Sequence, residues 1–470
     1  MPESIAFLSA AQLRRRMTRG DLAAVEVVEA CLAQIKKYNP ALNAVVTLNE
    51  RALDEARKLD RQRARGKPLG LLHGLPVGIK DVTPVAGLRT TFGSPLFADY
   101  VPKEDALVVQ RLKAAGAIIL GKTNCPEFAA GGNTFNEVFG RTRNPWNPKL
   151  SAGGSTGGGA AGLATGMIAL AEGTDLGGSL RIPASFCGLV GLRPSPGLAP
   201  TYPADYLWDQ FQVTGGVART AEDAALMLQA IAGPSPLCPI REPVTGRNFV
   251  KAAKAGIPKR TRIAYCQDIA GIGVEEDIER ACRQAAFEMK HAGAKVEEIA
   301  LDLSFVRKPF LAFRGYWFLA QLHRHLDKID RLGVNVSNNL KAGLQVTTEE
   351  LAAAEAARTK LWHIFYEFFQ KFDYLLTPCM AIPPFAVEQN YPETIAGKKM
   401  ETYVDWIAPT FVLSLTSLPV ASVPCGFDGR GLPVGLQIVG KPMGEEAVLA
   451  LTKLVQDARG IGLPELENIL

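Results

Sequence analysis

The chain has 470 residues, 47% of them hydrophobic and 21% charged, with 52 basic against 47 acidic side chains for a formal charge of +5. That length calls for one large α/β domain with an insertion or two closely packed domains, and the composition excludes a disordered or strongly polybasic chain. The eight cysteines show no CxxC spacing, so neither a zinc site nor a disulfide framework is legible, and no uninterrupted apolar run is long enough to span a bilayer. With no signal-like N-terminus, the expectation is a cytoplasmic protein that binds neither membrane nor nucleic acid, the run Arg14-Arg15-Arg16 being a solvated helix face.

In chain order, Ser9 and Gln12 form a capping box, and Leu22, Val25, Val28, Leu32 and Ile35 recur at helical spacing up to a stop at Asn39-Pro40. A charged helix follows at 51–65. Strand and helix patterns then alternate: strand at 76–79, helix at 106–115, strand at 117–120, helix at 160–164, strand at 167–171. Such alternation predicts a sheet covered by helices. Residues from about 274 to 372 are rich in Arg, Lys, Glu, Ala and aromatics at helical spacing, with Thr347 or Thr348 capping a helix at 349–369, and read as a mostly helical insertion. Strand patterns return at 374–376, 421–423 and 435–439, so that 374–440 completes the first sheet before a last helix at 445–458.

The chemistry concentrates in two glycine-bracketed serines, Ser155 in Gly153-Gly154-Ser155-Thr156-Gly157-Gly158-Gly159 and Ser179 in Gly173-Thr174-Asp175-Leu176-Gly177-Gly178-Ser179. Glycines let the backbone turn sharply and bring consecutive N–H groups toward one oxygen, which suits a nucleophile beside an oxyanion hole; a tight structural turn is the alternative. A serine needs a base, and histidine is scarce: of the five, only His73 lies near an informative segment, with no acidic pattern around it. Lys80, after the apolar strand 76–79, is the better candidate, because burial disfavours an ammonium; a lysine paired with Asp81 is the competing reading. A hydroxyl both donates and accepts, so Ser155 can carry a proton between Lys80 and Ser179.

One motif points elsewhere. Gly116-Ala117-Ile118-Ile119-Leu120-Gly121-Lys122-Thr123 satisfies the P-loop pattern GxxxxGK[ST] of nucleotide-binding proteins. Its middle has a strand pattern where a phosphate-cradling turn is required, and Pro126 falls where the helix should begin, so the nucleotide reading is disfavoured.

The stretch 153–166, continued by 173–184, resembles the defining motif of amidase signature enzymes. Gly78-Ile79-Lys80-Asp81, Gly121-Lys122-Thr123-Asn124, Gly140-Arg141-Thr142-Arg143-Asn144-Pro145-Trp146 and Gly431-Leu432-Pro433-Val434-Gly435-Leu436-Gln437 carry the same likeness, which is densest over 71–200 and thinnest across the insertion. The resemblance implies one α/β/α domain around a large, twisted mixed sheet, spanning 1–470. It implies Ser179 as nucleophile, Ser155 as a bridging serine after a cis peptide, Lys80 as base, and the backbone N–H groups of Leu176, Gly177, Gly178 and Ser179 as oxyanion hole. Thr174, Asp175 and Arg181 would support the loop. Neither metal nor organic cofactor is implied, and a homodimer is compatible with it. Two departures stand out: Thr156 replaces the usual second serine, and 413–419 lacks an asparagine that many members carry, which leaves the substrate more open than the mechanism.

The expected reaction is hydrolysis of a carbon–nitrogen acyl bond through an acyl-enzyme, amides first, with carbamates (a urethanase activity) and esters as relatives of the same chemistry, in the manner of single-chain bacterial amidases. Tyr206, Trp208, Phe211, Phe313, Tyr316, Trp317 and Phe318 are candidates for an apolar or aryl pocket, although aromatics at such spacing more often serve as core. The alternative within the family is the amidase component of a tRNA-dependent glutamyl or aspartyl amidotransferase, which would require partner chains.

Overall fold

The computed structural model describes residues 4–469. Its N-terminal layer follows from capping and periodicity. Ser9 Oγ accepts the Gln12 N–H (3.1 Å) while Gln12 Oε1 accepts the Ser9 N–H (2.8 Å), opening helix α1 (Ala10–Arg19). Helix α2 (Ala24–Leu42) buries Val27, Val28, Cys31 and Ile35, and it runs past the expected stop, with Pro40 inside its final turn. Pro40 has no N–H to donate to Lys36 O, so that turn lacks one bond of the helical ladder. The actual stop is Asn43, at φ 54°, after which Asn39 Oδ1 clamps the turn by accepting the N–H groups of Ala44 and Val45, both at 2.8 Å.

Eleven strands form one mixed sheet. They are β1 (Val45–Leu48), β2 (Pro76–Lys80), β3 (Ile118–Thr123), β4 (Leu170–Asp175), β5 (Val190–Arg193), β6 (Val213–Ala218), β7 (Arg262–Tyr265), β8 (Lys295–Glu298), β9 (Tyr374–Pro378), β10 (Val420–Phe427) and β11 (Pro433–Val439). Their spatial order is β1-β3-β2-β4-β6-β5-β10-β11-β9-β7-β8. β2 lies parallel to both β3 and β4, and β7 parallel to β8 and β9, while the remaining contacts are antiparallel. Every residue of β2, β3 and β4 is buried, as strands sandwiched between helical layers require.

The P-loop pattern dissolves here. Its last six residues are β3, and Lys122 is fully buried, with Nζ donating to Thr83 O and to Thr90 Oγ1 (3.1 Å) and standing 4.0 Å from Asp81 Oδ1. No phosphate-sized turn exists at those positions.

Helix α3 (Gly157–Ala164) is buried at every residue because it is built from glycine, alanine and one leucine. A Cβ at Gly158 would stand 2.3 Å from Asn124 N, so the close approach of this helix to the loop after β3 requires glycine there. Helix α4 (Arg181–Cys187) is likewise fully buried. Within 274–372 lie a helix at Glu276–Glu288, the edge strand β8, and helices α5 (Arg307–Leu322), α6 (Val334–Gln345) and α7 (Thr348–Lys371), the last capped by Thr347 Oγ1 accepting the Glu350 N–H at 3.1 Å. Two apolar cores result: one within the sheet and its covering helices, and a second in which α6 and α7 pack on α5 and α5 on the helix Ala408–Ser414, with the rings of Phe310 and Phe411 stacked at 4.1 Å. The loop bearing Ser179 sits between them, Leu180 in the first and Leu176 and Ile182 in the second. Among the described residues no helix is long and apolar enough to cross a membrane.

Candidate active site

Lys80 ends β2 and Asp175 ends the parallel neighbour β4, so both are delivered to the same edge of the sheet, where the serine loops lead into α3 and α4. Lys80 is wholly buried. Its Nζ lies 2.7 Å from Ser155 Oγ, 3.0 Å from Thr174 Oγ1 and 3.5 Å from Thr174 O. Those acceptors match the three N–H groups of an ammonium, and because the serine hydroxyl rotates, the same 2.7 Å separation serves a neutral amine that accepts from Ser155. Burial lowers the Lys80 ammonium to about 8, against the opposing charges of Glu172 and Asp175. Glu172 is equally buried: its carboxylate accepts the Lys80 backbone N–H (3.1 Å) and the Thr83 hydroxyl (3.0 Å), and burial pushes its own pKa up.

Ser155 is fully buried and follows a cis peptide from Gly154, as the resemblance implies. Ser179 is only half-buried, and its Oγ has no hydrogen-bond partner among the described residues. Both serines, with Thr174, Leu176 and Gly177, line one narrow pocket. Thr156 ties the two loops by donating its N–H to Ser179 O at 3.2 Å, while its own hydroxyl is buried without a partner among the described residues.

The four N–H groups expected to face an oxyanion divide. That of Gly178 donates to Asp175 Oδ1 at 2.8 Å and is not free, which corrects the expectation of a fourth donor. Those of Leu176, Gly177 and Ser179 have no partner among the described residues. The reason lies in the turn: with φ at +121° and a hypothetical Cβ 2.3 Å from Thr410 Oγ1, Gly178 folds the loop back over the Asp175 carboxylate.

That carboxylate is the anchor of the loop. Arg181 grips it through two bonds of 3.0 Å, Arg193 approaches Oδ1 at 3.3 Å, and the Leu180 N–H adds a bond at 3.2 Å. Burial opposes its ionisation, yet the two guanidiniums outweigh burial and hold its carboxyl well below the usual carboxylate range. Arg181 is held in turn by Thr410 O (2.9 Å), Gln437 Oε1 (2.8 Å) and Ser414 Oγ (2.8 Å), and Arg193 by Ser414 O (3.2 Å). Sequence reasoning placed Asp175 and Arg181 in the loop but missed Arg193, Thr410 and Ser414; Gln437 was visible only as the end of a motif.

The narrow pocket adjoins a cavity of about 440 Å3, the two sharing Phe128, Ala129, Thr174, Gln212, Trp317 and Phe318. Phe92, Phe97 and Tyr100 complete an aromatic wall, with Phe97 edge-on to both Phe128 (5.9 Å) and His325 (5.5 Å). Of the aromatics expected to line a pocket, Trp317 and Phe318 line these two, and Tyr206 lines a small neighbouring one. Trp208 is 70% exposed, Phe211 and Phe313 pack on each other in the second core, and Tyr206 lies against Tyr316. Phe92, Phe97 and Phe128 were missed because nothing local distinguishes them from core residues. Among the described residues no group of three or more His, Cys, Asp or Glu side chains is placed to hold a metal ion.

Comparison with known proteins finds relatives over nearly the whole chain. The Amidase family model matches residues 26–449. The chain is 32% identical to an acylamidase of Rhodococcus erythropolis, covering 95% of this chain and 94% of that one. It is 34% identical to a glutamyl-tRNA(Gln) amidotransferase subunit of Roseiflexus castenholzii, covering 94% of each. Among solved structures it superposes on a bacterial aryl acylamidase of the amidase signature enzymes with a TM-score of 0.91 at 26% identity, over 98% of both chains.

Proposed function

The chain belongs to the amidase signature family, an amidohydrolase by that membership, and from that premise we propose that it hydrolyses amides bearing an aryl or other bulky apolar group, with Ser179 as nucleophile, Ser155 as proton bridge and Lys80 as base. The observation that carries this reading is the 2.7 Å contact between Lys80 Nζ and Ser155 Oγ at the pocket that also presents Ser179. Neutral Lys80 takes the Ser155 proton as Ser155 takes that of Ser179, and Ser179 Oγ attacks the acyl carbon. The N–H groups of Leu176, Gly177 and Ser179 receive the developing oxyanion. The same relay returns the proton to the leaving nitrogen, and water, deprotonated through it, releases the acid from Ser179. The aromatic cavity takes the apolar group. Carbamates and esters share the tetrahedral oxyanion and fall within the same proposal.

A serine-directed fluorophosphonate tests the nucleophile. One adduct by intact mass, mapped to the peptide containing Ser179 and absent from Ser179→Ala, is the expected result; an adduct on another serine overturns the assignment. Anilides should be turned over faster than small aliphatic amides, and the reverse order removes the aryl preference.

The pH dependence follows from Lys80. The base must be neutral, so kcat/KM for an uncharged anilide should rise with pH and level off above about 8. A limb centred in the ordinary range of histidine would exclude Lys80 as the base.

The 34% identity to an amidotransferase component supports a second reading, in which the chain acts on glutamine within a complex. That reading predicts glutaminase activity only with partner chains, and no turnover of anilides by the isolated chain.

A further inference from the structure

Arg314 lies on α5 in the wall of the narrow pocket that holds Ser155 and Ser179, and it is 7% exposed. A buried guanidinium ordinarily faces a carboxylate, as Arg181 and Arg193 face Asp175. Arg314 forms no ion pair among the described residues, and no Asp or Glu lines that pocket. Its Nε donates to Asn339 Oδ1 at 3.0 Å and its Nη2 to the Tyr403 hydroxyl at 2.9 Å. The Nη1 group has no acceptor among the described residues.

Tyr403, in the same pocket wall, is placed in a complementary way. The orientation of the Asn339 amide is set on both sides, because Oδ1 must receive Arg314 Nε while Nδ2 donates to Asn335 O at 2.6 Å. That same Nδ2 also donates to the Tyr403 hydroxyl. The phenol oxygen therefore accepts two bonds, one from Arg314 and one from Asn339, and its own O–H is left to donate. The result is a pair of donors, Arg314 Nη1 and Tyr403 O–H, in the wall of the pocket that holds Ser179, neither of which makes a hydrogen bond among the described residues. The Phe318 and Tyr403 rings, 5.0 and 5.7 Å from the guanidinium carbon, hold its plane in place.

We propose that Arg314 and Tyr403 form a carboxylate-binding subsite in the nucleophile pocket, so that the preferred substrates are amides carrying a carboxylate within a few bonds of the scissile carbonyl. The subsite rests on the reading of Ser179 as the nucleophile only for its consequence in turnover; the donor set itself does not depend on it. A planar guanidinium fork with a neighbouring hydroxyl donor matches the two oxygens of a carboxylate, and a ligand of that charge supplies the counter-ion that Arg314 lacks. The aryl portion then occupies the adjoining aromatic cavity.

The test compares malonanilate and succinanilate with acetoacetanilide and levulinanilide, in which an acetyl group replaces the carboxylate at the same position. At least one acid should exceed its neutral isostere in kcat/KM by about ten- to a hundredfold in the wild type. Arg314→Met should bring that ratio close to one, Arg314→Lys should restore part of it, and Tyr403→Phe should reduce it. Acids no better than their isosteres in the wild type overturn the proposal. A ratio that survives Arg314→Met while all rates fall together also overturns it, since that is the signature of a side chain that merely ties α5 to α6. Calorimetric titration of Ser179→Ala with the same four compounds reads binding without turnover. Tight binding of an acid with no hydrolysis by the wild type would sink the amidase assignment and keep the subsite; hydrolysis of anilides without discrimination would do the reverse.

Discussion

Ser179→Ala is expected to lower kcat for every amide substrate by about four orders of magnitude or more while leaving the denaturant midpoint unchanged. The two halves of this expectation have separate causes. Ser179 Oγ takes part in no hydrogen bond among the described residues, so its removal leaves no buried group unpaired and no cavity larger than one oxygen. Its backbone N–H and carbonyl, the latter bonded to Thr156 N, remain in the variant. What disappears is the hydroxyl to which the proposed mechanism assigns the acyl group. The residual rate measures what the N–H groups and the pocket do without covalent chemistry, and it should be read with active-site-titrated enzyme so that trace wild type does not set the floor. Ser155→Ala should also be severely impaired, but it additionally deprives buried Lys80 of its 2.7 Å partner, so a stability loss should accompany it. A Ser179→Ala protein that retained a tenth of wild-type kcat would exclude Ser179 as the nucleophile.

Asp175→Ala should be the most destabilising single substitution in the site, by about 3–5 kcal/mol, because it leaves two buried guanidiniums without their shared anion. The side-chain relative exposure of Asp175, Arg181 and Arg193 is 0% in each case. Neither arginine can reach water, and the carbonyls of Thr410 and Ser414 satisfy hydrogen bonds without neutralising charge. Asp175→Asn keeps one acceptor oxygen and should fall between wild type and alanine. Chemical denaturation followed by tryptophan fluorescence measures the difference, with Ser179→Ala as the control for changes at the same loop. A loss below about 1 kcal/mol for Asp175→Ala would mean that the two arginines find other anions or water, contrary to the closed cluster described above.

The sequence was most informative where the chemistry is encoded within a few consecutive residues. Glycines around Ser155 and Ser179 announce backbone that must approach or turn, and a lysine ending an apolar strand announces a buried amine; these signals survive without knowledge of the fold. The sheet was legible as alternation, with errors at edges: β3 and β4 each extend beyond the predicted segments, to Thr123 and Asp175, because the polar residues there are buried by tertiary contacts rather than exposed. The partners of the site were not legible. Arg181 meets Gln437 across 256 positions and Arg314 meets Tyr403 across 89, and no local pattern marks either pair. The N–H groups expected to form an oxyanion hole show the same limit in miniature, since only the folded loop reveals that the Gly178 N–H is already engaged by Asp175.

The strand order has a consequence for how this enzyme comes into being. β10 and β11, the last strands in sequence, occupy the interior of the sheet between β5 and β9. Until they arrive, a growing chain holds two partial sheets, each with an open edge of unpaired N–H and C=O groups, and Arg181 lacks Thr410, Ser414 and Gln437. A chain still short of residue 420 is therefore expected to be inactive and prone to edge-to-edge association, with activity arising only once the β10–β11 hairpin closes the gap. Cellular yield should accordingly depend more on protecting those edges during translation than on the stability of the finished protein.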